Sequence, residues 1–176
     1  MKKIFLSLLS VSLLVACGPK KDNSASMDVP KGMTAADLTT VSDGRMPVLV
    51  NVPDSTTGPL EIIANAQGGA DVKVGKNFQM TITEGAGDIA MKKNDITHDD
   101  VRKFVKYVVE DPNALVWQWQ IDGMPEPEFH FYAIVKAGNK SFEVRDVEGE
   151  VFTEKSATQM LDAAKSIREK PAKEKS

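Results

Sequence analysis

The sequence predicts an α+β domain in which a two-layer antiparallel sheet carries two amphipathic helices on one face. Three observations predict it. Several short segments alternate apolar and polar side chains with the period of a half-buried strand. Turn-forming residues separate those segments, so consecutive strands pair antiparallel. Two further segments repeat apolar residues at helical spacing instead.

In chain order, Thr34 with Asp37 three residues on predicts a single helical turn over 34–38. Residues 47–52 are a β-branched run ended by Pro53-Asp54, and 60–65 are another ended by Gly68-Gly69. Residues 77–83 alternate cleanly, with Phe78, Met80 and Ile82 on one side. A turn over 84–88 then leads to a short strand at 89–92. Val101, Phe104, Val105 and Val108 form a helical stripe, so 98–110 reads as the first helix, capped by Thr97 and stopped by Asp111-Pro112-Asn113. Residues 115–121 and 128–136 are strands, and Gly138-Asn139 turns tightly into a third over 141–147. Residues 151–153 extend or cap the sheet. The second helix opens on a Ser156/Gln159 capping box and buries Met160, Leu161, Ala164 and Ile167.

The folded unit is expected over 33–168, about one domain's worth of chain. Residues 17–32 are polar and read as a tether, and 169–176 as a charged disordered tail. The formal net charge of −3 comes with no basic stripe interleaved with aromatics, which argues against nucleic acid as a partner.

Before the tether, Met1-Lys2-Lys3 is a basic start and the apolar run that follows is too short to span a bilayer. Residues 1–16 therefore have the layout of a secretory signal. The run ends in Leu14-Val15-Ala16-Cys17, which resembles the lipobox of bacterial lipoproteins at all four positions. The resemblance implies cleavage before Cys17, lipidation of its thiol, and a membrane anchor in the cell envelope. Gly18 in place of Asp is similar to outer-membrane lipoproteins, facing either the periplasm or the surface. Two or three acyl chains hold a protein far more firmly than one, at about 0.8 kcal/mol per buried CH₂. Cys17 is the only cysteine, so its lipidation excludes thiol catalysis and cysteine-ligated metal.

Catalytic motifs are weak. The cluster Asp95 to Asp100 around His98 could hold a metal or act as acid and base, but it also fits a helix start, where the dipole favours Asp99 and Asp100. Glu128 and His130 share one side of a strand and offer a second such pair. Trp117 and Trp119 share a side with Leu115 and Ile121 and read as core. The opposite side is expected to be an open face for an envelope protein partner, centred on Tyr132 and flanked by Gln118, Gln120, His130, Ile134, Glu143 and Arg145. The expected class is a non-catalytic binding or assembly module that needs no cofactor or metal. The alternative is a membrane-tethered hydrolase or metal-binding protein using His98 or His130 with nearby carboxylates.

Overall fold

The computed structural model describes residues 29–41 and 46–171. The signal segment, Cys17 and most of the tether lie outside the described residues, as do 172–176 of the tail.

A seven-stranded antiparallel sheet dominates the fold. Its strands are β3 (Leu60–Ala64), β4 (Ala70–Val74), β5 (Gln79–Glu84), β6 (Arg102–Asp111), β7 (Ala114–Ile121), β8 (Glu128–Ala137) and β9 (Lys140–Asp146). Their order across the sheet is β3-β4-β5-β9-β8-β7-β6. A smaller antiparallel sheet joins β1 (Met33–Asp37), β2 (Val48–Pro53) and β10 (Arg168–Glu169) in the order β1-β2-β10. The helices are α1 (Ile89–Thr97) and α2 (Glu154–Lys165). The α+β class and the antiparallel pairing are those the sequence predicts.

The two helices cover opposite faces of the large sheet, where a shared face was expected. Strand register is the reason. Trp117 stands opposite His130 and Leu115 opposite Tyr132, so the Leu115/Trp117/Trp119 stripe lies on the other side from Phe129, Phe131 and Ala133. Both sides are apolar and each needs its own cover. On one, Phe131, Ala133, Val116 and Val144 pack with Met160, Leu161 and Ala164 of α2 and with Val48, Val50 and Val52 of β2. On the other, Leu115, Trp117, Trp119 and Tyr132 pack with Ile96 of α1.

The segment expected as the first helix, 98–110, contains strand β6 instead. Its helical spacing comes from β-bulges. Phe104 faces Trp119 and Tyr107 faces Trp117, so three steps on β6 match two on β7, and a second shift follows between Tyr107 and Val109. The extra residue lets Phe104 and Tyr107 share one face, as their ring centroids 4.7 Å apart attest. A valine-rich composition suits a pleated surface better than a helix. The helix lies just upstream, where a short strand was expected. Asp88 caps it by accepting the Met91 N–H at 2.9 Å. Thr97 therefore ends a helix rather than starting one. Likewise 34–38 is not a helical turn: β1 fills it, and a 3₁₀ turn over Leu38–Thr40 follows. In α2 the cap is Thr153, whose Oγ1 accepts the Ser156 N–H, one turn before the expected box.

The strand at Arg168–Glu169 was expected to lie at the boundary of a disordered tail. It is held by the Lys170 N–H donating to the Pro47 carbonyl at 2.8 Å and by the Lys170 ammonium on the Asp37 carboxylate. That side-chain bond, with those from Thr39, lowers the Asp37 pKa from 3.8 to about 2. A depressed carboxyl contributes stability above its unfolded value and loses it as the pH falls toward 2. Carboxyl-carbon NMR should therefore find the Asp37 midpoint near 2, and Lys170→Met should return it toward 3.8. An unchanged midpoint in Lys170→Met would remove Lys170 as the cause.

Candidate functional site

The side of the large sheet that α1 covers is only partly closed. Thr81 and Thr83 of β5 stand beside Arg145 and Glu143 of β9, which in turn stand beside Tyr132 and Ile134 of β8. Strand alternation thus lines up polar side chains from three adjacent strands on one surface. Helix α1 borders them with Asp88, Met91, Lys92 and Asp95, leaving a groove of about 530 Å³. That volume lies within the range of small-molecule sites.

Tyr132 anchors the groove's inner edge. It is 5 % exposed, and its hydroxyl donates to Glu143 Oε2 at 2.9 Å. Burial, with that carboxylate second, pushes the phenol pKa up to about 12. Gly87 lets the chain pass over it. Its φ is +59°, and a Cβ there would lie 2.6 Å from the Tyr132 hydroxyl and 2.8 Å from Ile134 Cγ1. A side chain at this position would thus strain the backbone and displace the start of α1.

The groove continues into a recess of about 130 Å³, with Lys92 and Arg145 bordering both. Its wall holds a buried pair. His130 Nδ1 lies 2.7 Å from Asp146 Oδ2, and Asp146 Oδ1 accepts the Phe131 N–H at 2.9 Å. His130 Nε2 is buried without a hydrogen-bond partner. Its 3.5 Å approach to Glu128 Oε2 is an electrostatic contact, too long for a good hydrogen bond. Trp117 Nε1 is also buried and unpartnered, whereas Trp119 Nε1 donates to the Ile96 carbonyl at 3.0 Å. The His130 ring stacks on Trp117 at 5.7 Å between centroids. Lys92 Nζ lies 5.6 Å from the Trp117 ring and the Arg102 guanidinium 4.9 Å from that of Trp119.

Of the expected binding face, His130, Tyr132, Ile134, Glu143 and Arg145 do share one surface. Gln118 and Gln120 do not, because the register sets Gln118 beside Phe129 on the opposite surface. Gln120 Nε2 instead ties down its own loop, donating to the Met124 carbonyl at 2.7 Å. Nor is the surface an open sheet: Tyr132 and His130 are buried beneath α1, and only Glu143 and Arg145 of the set border the groove together with the Tyr132 edge. Trp117 and Trp119 are core, as expected.

The cluster around His98 is dispersed. Asp95 faces the groove, His98 caps the end of α1 with Nδ1 2.9 Å from the Asn94 carbonyl, and Asp99 accepts the N–H groups that open β6. The two histidines do not share the recess or the groove. Among the described residues, no group of three or more His, Cys, Asp or Glu is placed to hold a metal ion. No helix among them is long and apolar enough to cross a membrane.

Sequence reasoning missed Asp146, Lys92, Thr81 and Thr83. Asp146 left a signal: it follows Phe142 and Val144 in the inward phase of β9, where a carboxylate needs a partner. Lys92 was hidden by the misassigned helix. Chemically the site can bind through carboxylates, hydroxyls and two cations. It also contains an imidazole fixed by a carboxylate, but no residue bordering the recess carries a hydroxyl or thiol nucleophile. Compared with protein-family models, curated proteins and solved structures, the chain has no significant match.

Proposed function

We propose that this chain is a lipid-anchored envelope protein whose folded domain binds a small polar ligand without transforming it. The groove beneath α1 carries the reading: it sets Thr81, Thr83, Glu143 and Arg145 against Asp88, Lys92 and Asp95 in a ligand-sized depression. The lipobox-like Leu14-Val15-Ala16-Cys17 supports the anchor, and the polar stretch after it supports a tether between membrane and domain.

The anchor is tested by Cys17→Ser in a bacterial host. The unaltered chain should partition into detergent, with Cys17 as the mature N-terminus bearing lipid mass. The Cys17→Ser chain should remain an unprocessed precursor without that mass. A mature protein with a free Cys17 thiol would refute the anchor.

One observation favours a second reading. A buried carboxylate fixes His130, which borders the recess, while its other ring nitrogen makes no hydrogen bond, which is how a general base for water would be held. A membrane-tethered hydrolase is therefore the alternative. Turnover of a groove ligand that disappears in His130→Gln would select it, whereas saturable binding with no product selects the binding module.

A further inference from the structure

We propose that the recess beside Trp117 and His130 is an oxyanion subsite, which takes a carboxylate or phosphate group of a ligand whose body lies in the adjoining groove. The inference deepens the binding reading above and rests on it. Size sets the first limit. About 130 Å³ is well below a whole small-molecule site, so the recess fits one compact group. Because Lys92 and Arg145 border both spaces, a ligand can occupy the two at once.

The polar groups of the recess set the charge. Trp117 is 2 % exposed, and its indole N–H can only donate; buried without a partner, it calls for an acceptor. Lys92, Arg102 and Arg145 add three cations, none with a carboxylate at normal hydrogen-bond distance. Arg102 lies 3.5 Å from Asp99 and 3.6 Å from Glu128, and Arg145 lies 3.8 Å from Glu148. Lys92 lies over the Trp117 and Tyr132 rings and has no ion pair among the described residues.

The acids near the recess do not cancel this. Both Asp146 oxygens are engaged, one by His130 and one by the Phe131 N–H. The Glu148 side chain is 85 % exposed and faces water. Glu128 lies 3.6 Å from Arg102 Nε, so an entering oxyanion would compete with it for that guanidinium rather than meet an empty field. Charge-assisted bonds from Arg and Lys to an oxyanion are the strong class of hydrogen bond.

The two tryptophans of the chain supply the test. The full chain in neutral detergent should give two indole N–H signals in a proton–nitrogen NMR spectrum, one from each. Sodium acetate, sodium phosphate and neutral glycerol are titrated separately at constant ionic strength. Acetate or phosphate should shift the Trp117 signal saturably, with a Kd of about 1 mM for so small a probe. The Trp119 signal, tied to the Ile96 carbonyl, should hold still and report an intact fold. Arg145→Gln should weaken the response roughly tenfold, and Lys92→Met should do the same from the helix side. Tighter phosphate assigns a phosphorylated ligand and tighter acetate a carboxylate ligand. No shift with either anion, an equal shift with glycerol, or undiminished affinity in both variants overturns the subsite. A Trp117 signal silent to anions in a protein that still saturates with a groove ligand would remove this inference and leave the binding reading standing.

Discussion

Asp146→Ala is expected to lower the unfolding free energy by about 2–6 kcal/mol, because it strands two buried hydrogen-bonding groups at about 1–3 kcal/mol each. The Asp146 side chain is 8 % exposed and makes two bonds that nothing else can replace. The ladder between β8 and β9 runs only as far as Tyr132 opposite Arg145. Beyond that point Asp146 Oδ1 takes the Phe131 N–H, standing in for a backbone carbonyl. Its loss strands that N–H and His130 Nδ1 together in a buried wall. Asp146→Asn should cost less, about 1–3 kcal/mol, since an amide oxygen can still accept one of the two bonds. Asp146→Ala combined with His130→Leu should recover part of the loss, because the apolar pair leaves no stranded imidazole nitrogen. Denaturant unfolding measures all three, provided the slope with denaturant is unchanged between variants. A loss under about 1 kcal/mol in Asp146→Ala would place the pair outside the interactions that hold β8 to β9.

How much of this was legible in the sequence depended on local signals. The β8–β9 hairpin was, because Gly138-Asn139 between two alternating runs specifies a tight turn, and Gly138 does take a φ of +60°. So was α2, whose stripe of Met160, Leu161 and Ala164 is a property of contiguous residues. Strand β6 was not. Its bulges convert a period of two into a spacing that imitates a helix, and only pairing with β7 reveals them. Helix α1 was hidden for the opposite reason. Ile96 is its one buried residue, and Met91 on the same helix is 65 % exposed, so it has almost no stripe to read. Of the site, Tyr132, His130, Glu143 and Arg145 were found because they alternate on neighbouring strands, a short-range property. The error over Gln118 and Gln120 came from register, which no single strand encodes. Asp146 and Lys92 reach the site through pairing and helix placement, both long-range.

Ile96→Ala is expected to undock α1 and expose the tryptophan wall. Ile96 is fully buried among Leu115, Trp117, Trp119 and Tyr132, and truncating such a side chain costs about 2–5 kcal/mol. The consequence should be local before it is global. Helix α1 has nine residues, below the about 12–15 that an isolated helix needs to be even marginal in water. Its persistence therefore depends mainly on Ile96, helped by the partly buried Ile89, the Asp88 cap, the Trp119 indole donating to the Ile96 carbonyl and the Lys93–Glu110 ion pair to β6. The α2 side of the sheet has a separate core, containing Phe131, Val144 and Met160, and should stay folded. Since both tryptophans of the chain lie under α1, the emission of Ile96→Ala should shift toward that of solvated indole while sheet circular dichroism is kept. Amide exchange in α1 should quicken by a larger factor than in β8 or β9. Ligand response should fall in parallel, because Asp88, Lys92 and Asp95 form the helix side of the groove. Met91→Ala, an exposed change on the same helix, should leave emission and exchange close to those of the unaltered protein. If Ile96→Ala keeps buried-indole emission and slow exchange in α1, the helix is held by contacts other than Ile96. The groove would then have a rigid wall where this packing argues for a weakly docked one.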